Sequence, residues 1–146
     1  MFSKRKGFTL VEIMIVVAII ALLAAIAIPN LLRSRLNSAE ANAQATLKTI
    51  STAFESYAAA NGDYEITVAD LADETPPYLN EDYTDADEQP IQGYEFTCPT
   101  DDDASAYICS AEPQGAFADE GRAFTICTGG VTPDPSAAGE AAPACP

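Results

Sequence analysis

The order of apolar and polar positions changes period three times along the chain. Residues 13–28, IMIVVAIIALLAAIAI, are apolar without a break. Counted from Phe8 to Leu32, 25 residues are nearly all apolar, and wound as a helix they reach about 37 Å, enough to cross a bilayer. A second pattern follows. Leu36, Ala39, Ala43, Leu47, Ile50, Phe54 and Tyr57 recur at steps of three and four, one face of an α-helix, with Asn37, Glu40, Gln44, Lys48, Ser51 and Glu55 assigned to the opposite side. The pattern stops at Asn61-Gly62-Asp63, where Gly62 suits the left-handed residue that closes a helix. One helix over about 8–60 is predicted, apolar all round in its first half and on one face in its second.

The third pattern is shorter in range. Thr67-Val68-Ala69-Asp70-Leu71 opens a short helix, with Thr67 as cap and Asp70 in the capping-box position, ended by Pro76-Pro77. Strands are predicted at 93–98, 105–111 and 122–128, with Asp101-Asp102-Asp103 and Pro113-Gln114-Gly115 as turns between them. Tyr94, Phe96, Ile108, Phe124 and Ile126 are the expected inward residues. Three antiparallel strands need a partner, so the sheet should pack on Leu47, Ile50, Phe54 and Tyr57. The fold class is therefore α+β: a long N-terminal helix packed by a small C-terminal antiparallel sheet. The closing GGVTPDPSAAGEAAPACP has the composition of an irregular loop, with Cys145 its expected anchor.

Charge narrows the functions. The formal net charge is −15, and from residue 49 onward 20 Asp or Glu stand against Arg122 alone. A body so acidic repels phosphates, so direct nucleic-acid binding is not expected. No His is present, which removes the Ser-His-Asp triad, the Cys-His nucleophile, His-ligated zinc and the CxxCH haem site. No catalytic residues and no cofactor are expected. Asp101, Asp102 and Asp103, with Asp119 and Glu120, are weak candidates for calcium, but neither stretch has EF-hand spacing and a solvated surface accounts for both.

The basic start Lys4-Arg5-Lys6 and the apolar run suggest a secretory signal, yet no obvious small-residue cleavage site follows the run. Glu12 stands at the head of the apolar stretch instead, where a charge costs a few kcal/mol. The stretch 4–32, KRKGFTLVEIMIVVAIIALLAAIAIPNLL, resembles type IV pilins and the related type II secretion pseudopilins. The resemblance implies a pilin fold and a prepilin peptidase that cuts between Gly7 and Phe8, then N-methylates Phe8. It divides the chain into a leader at 1–7, a transmembrane and filament-core half-helix at 8–32, an amphipathic half-helix at 33–61 and an acidic head at 62–146. Cutting at Gly7 creates an amine at Phe8, and Glu12 of one subunit can pair with the Phe8 amine of the next. Two buried charges then become an ion pair, and an error of register would leave both unpaired. Pro29 removes one helix hydrogen bond and is expected to be a hinge.

Four Cys in an exported head read as two disulfides. Cys98 and Cys109 flank the Asp101–Asp103 turn symmetrically, which favours Cys98–Cys109 and leaves Cys127–Cys145; the competing set is Cys109–Cys127 with Cys98–Cys145. A loop closed by Cys127–Cys145 resembles the disulfide-bounded terminal region of many type IV pilins. The family's role is structural. The expected partners are further copies of the chain, the prepilin peptidase, and an inner-membrane assembly platform and motor, with the inner membrane holding the precursor. A surface pilus for attachment, motility or DNA uptake is the first expectation. The major pseudopilin of a type II secretion system, forming a periplasmic filament, is the second, and a tip-binding minor pilin the third.

Overall fold

A computed structural model describes residues 7–85, 87, 90–99 and 105–146. The elements are α1 (Leu10–Asn61), α2 (Val68–Asp73), β1 (Tyr94–Thr97), β2 (Ile108–Pro113) and β3 (Phe124–Cys127), with short 3-10 turns at Gly115–Phe117 and Thr128–Gly130. The chain forms two compact units that divide within α1, Met1–Arg35 and Leu36–Pro146. It is an α+β protein with a pilin fold. The predicted Asp101–Asp103 turn lies outside the described residues.

In the first unit every large apolar side chain from Phe8 to Leu32 is exposed, Phe8 at 83% and Leu22 at 64%. A soluble surface seldom carries so continuous an apolar patch. Among the described residues α1 is the one helix long and apolar enough to cross a membrane, with a mean hydropathy of 3.0.

The second unit is built as its sequence pattern requires. Gly62 closes α1 at φ 95°, a conformation that costs a residue without Cβ little, and its N–H bonds Ala58 C=O at 2.8 Å. Thr67 caps α2: its hydroxyl accepts from Asp70 N–H at 3.1 Å and donates to the Asp70 carboxylate at 2.7 Å. The sheet runs β1-β2-β3, antiparallel throughout, with Phe96 opposite Ala111 and Ala111 opposite Phe124. Its inner face lies on Leu47, Ile50 and Phe54 of α1 in one core. Tyr57, at the rim, meets Tyr78 edge-on with ring centroids 5.8 Å apart.

Three expectations are corrected. Ile108 is 42% exposed, because the side-chain period of two turns Cys109 and Ala111 to the core and Ile108 away from it. Glu40 and Ser51 are buried rather than on the outer side of α1. At about 100° per residue they lie only some 20–40° beyond Leu47, so the buried arc reaches them. The tail is also held by more than Cys145. Thr125 Oγ1 donates to Pro143 C=O at 2.6 Å, Ala123 N–H to Ser136 Oγ at 2.9 Å, and Ala142 N–H to the Glu112 carboxylate at 3.3 Å. All four β3 residues are buried as a result.

Candidate functional site

At the N-terminus, Gly7 and Phe8 are exposed and precede the first helical turn, and nothing crowds Gly7. Glu12 folds back on Thr9. Its carboxylate accepts from Thr9 N–H at 3.2 Å and from the Thr9 hydroxyl at 3.1 Å, while Glu12 N–H donates to Thr9 Oγ1 at 3.2 Å. This is a capping box, in which Thr9 and Glu12 satisfy each other's free backbone donors at the helix start. Thr9 is not among the residues expected above to act. The Thr-x-x-Glu spacing ahead of an apolar run is the sequence signal for it. In the isolated chain the Glu12 charge thus rests on the positive end of α1, which eases its cost before any partner arrives.

Pro29 lies inside α1, and the helix continues through it. Proline has no N–H to offer Ala25 C=O, and one turn of the ladder is weakened. Asn30 Nδ2 donates to Ile26 C=O at 3.0 Å beside that gap. The cysteines pair as Cys98–Cys109 and Cys127–Cys145, with Cα atoms 4.2 and 6.1 Å apart. Cys109 lies opposite Ile126 and Cys127 opposite Ile108, so Cys109 and Cys127 present their thiols to opposite faces of the sheet. Of the calcium candidates, Asp119 and Glu120 are exposed in the turn before β3, and Asp101, Asp102 and Asp103 lie outside the described residues. Among the described residues no three Asp, Glu, Cys or His side chains gather as a metal site.

Two polar contacts that the sequence pattern does not reveal tie α1 to the sheet. Arg122 grips Glu40 through its backbone N–H (3.3 Å), Nε (3.3 Å) and Nη2 (2.6 Å), and its guanidinium lies 5.8 Å from the Phe124 ring centre. The Glu40 hydrogen bonds and charge raise the Arg122 pKa. Tyr94 donates to Arg122 C=O at 3.0 Å; burial, then the Glu40 charge, push its hydroxyl up to about 12 against the opposing pull of Arg122. The second contact centres on Glu55. Its Oε1 accepts from Gly129 N–H at 2.7 Å and Tyr107 OH at 3.1 Å, and its Oε2 accepts from Tyr64 OH at 3.0 Å. With its proton committed to Glu55, Tyr107 must accept from Ser51, 2.7 Å away. Burial pushes the Tyr107 hydroxyl up to about 12, opposed by the Ser51 hydrogen bond and reinforced by Glu55.

No part of this arrangement joins a nucleophile to a base. An uncovered apolar helix headed by a capped carboxylate, with a disulfide-closed α+β head, defines a membrane-anchored structural subunit. The prokaryotic N-terminal methylation motif matches residues 2–28. The type IV major pilin protein PilA of Myxococcus xanthus is 50% identical over 54 residues, 37% of this chain and 24% of that protein. The type IV wide pilus major component PilA4 of Thermus thermophilus is 44% identical over 68 residues, 47% of this chain and 52% of that protein. The type II secretion system core protein G of Escherichia coli is 34% identical over 65 residues, 44% of this chain and 45% of that protein. The chain spans between a quarter and about half the length of these relatives. No solved structure matches it. The chain belongs to the type IV pilin and type II secretion pseudopilin family.

Proposed function

We propose that the chain is a subunit that polymerises into a type IV pilus, first held in the inner membrane by residues 8–32 and then packed by them into a filament core. The observation that carries this reading is the apolar surface of α1 from Phe8 to Leu32, which nothing in the chain covers. A bilayer covers it in the precursor, and identical helices cover it in a filament. Prepilin peptidase removes residues 1–7 and methylates the Phe8 amine. Cleavage discards the three charges of Lys4, Arg5 and Lys6 that hold the N-terminus in the cytoplasm. The Phe8 amine then meets Glu12 of a neighbouring subunit, drawing that carboxylate from its cap on Thr9. Pro29 supplies a weak turn at which the helix gives when subunits pack.

A type II secretion pseudopilus is the second reading, favoured by the likeness to core protein G. The two disulfides of the head favour the surface pilus. Electron microscopy of the fraction sheared from intact cells, with mass spectrometry of its N-terminal peptide, separates them. Long filaments of chains that begin at methylated Phe8 are expected. A processed chain confined to the envelope would select the pseudopilus, and an unprocessed chain would overturn both.

A further inference from the structure

Heads of this charge must lie side by side in any filament, and that raises the question of what draws them together; the inference therefore rests on the filament reading. The unit Leu36–Pro146 contains 21 Asp or Glu and two cations, Lys48 and Arg122. Arg122 is engaged by Glu40. Lys48 stands exposed on α1 and has no ion pair among the described residues. It lines a groove of about 690 Å³ between the 44–55 flank of α1, β3 and residues 129–135.

The floor of that groove is a sheet edge with an opening in it. On the β1 side of β2, Gln114 N–H bonds Gly93 C=O; on the β3 side, Thr128 N–H bonds Tyr107 C=O. Alternation then bonds Cys109 to Ile126 and Ala111 to Phe124, and turns the backbone of Ala123, Thr125 and Cys127 outward. The tail satisfies both ends of this edge: Cys127 N–H meets Val131 C=O at 2.8 Å, and Ser136 bonds both N–H and C=O of Ala123. Between them it passes through Pro133 and Pro135, which lack N–H donors, and it gives the Thr125 backbone no bond among the described residues. Two carboxylates also line the groove. Glu55 has both oxygens engaged, and Asp134 is exposed at the rim.

We propose that this groove docks an acidic segment of a second copy of the chain, with a carboxylate of that segment against Lys48 and its backbone within reach of Thr125. Heads of about −19 repel one another, so the one uncommitted cation of the unit decides which faces can approach. A carboxylate seated in a half-enclosed groove is screened less than one on an open surface.

Lys48 is the sole lysine of Leu36–Pro146, which makes carbodiimide coupling on intact filaments a direct test. Covalent dimers joined from Lys48 to an Asp or Glu of another chain are expected. Lys48→Arg should assemble and give no such dimers, because it keeps the charge without the amine. Lys48→Glu should lower sheared filament about tenfold while leaving the amount of N-terminally processed chain in the membrane unchanged. Filaments in which Lys48 is freely acetylated and uncoupled, with Lys48→Glu assembling at the wild-type level, would overturn the proposal and leave the pilus reading standing. A chain that is processed but never assembles would sink both.

Discussion

Arg122 and Glu40 show how much a single pair carries in an acidic head. Glu40 has 8% of its side chain exposed and Arg122 47%, so removing the arginine leaves a nearly buried carboxylate with no partner. Arg122→Ala should cost about 3 kcal/mol in denaturant unfolding of the full chain in detergent, whereas replacing both residues with Met should cost clearly less. Tyr94 and Tyr107 make a second prediction. Both have folded pKa values raised to about 12 from the ordinary 10.0, so their neutral forms favour the fold. That stability is fully present below pH 10 and is lost as pH rises toward 12. Phenolate absorbance should accordingly show two of the six tyrosines titrating late, with unfolding at the same pH, and Tyr107→Phe should remove one of them. At this scale the sequence was poorly legible. Glu40, Ser51 and Glu55 look like solvent-side residues because a polar side chain at the edge of a helical face carries no mark of its partner. Those partners, Arg122 and Tyr107, are more than 50 residues away.

The elements were far more legible, since each is set by local chemistry. The step of three and four predicted α1, Gly62 marked its end, and Thr67-x-x-Asp70 marked the start of α2. Thr67→Ala should cost about 1 kcal/mol, read from the same unfolding curve, because Asp70 N–H loses its acceptor. The strands fell within the predicted stretches, yet Ile108 was assigned to the wrong face. Hydrophobicity alone ranks Ile108 above Cys109 and Ala111, while the register that decides between them is set by Phe96 and Ile126 across the sheet. The Thr9–Glu12 box was readable in principle, but the cost of a charge in an apolar run drew attention from its spacing. Within α1, Pro29→Ala should restore the missing bond to Ala25 C=O. With about 3 kcal/mol at stake, amide exchange near residues 25–33 should slow by up to about 100-fold.

On the scale of the molecule the chain joins two regions with opposite solvent needs, an apolar half-helix and a strongly acidic head. The head has few charges of opposite sign to hold it, and covalent closure takes a larger share. Cys127 and Cys145 are separated by 18 residues, so reduction should remove about 3 kcal/mol and loosen the tail over β3. Protease cleavage within 131–146 should speed up in reductant and change little in chelator. The apolar half poses the central question, since it must leave lipid and be covered again by its own kind. In the proposed filament Glu12 makes that exchange specific: it gives up Thr9 for a neighbour's Phe8 amine, and a wrong offset leaves both charges alone. The most direct test is the abundance of sheared filaments from cells making Glu12→Ala at wild-type membrane levels. The account predicts near-complete loss of filaments with cleavage after Gly7 intact. Filaments of Glu12→Ala at normal abundance would contradict it.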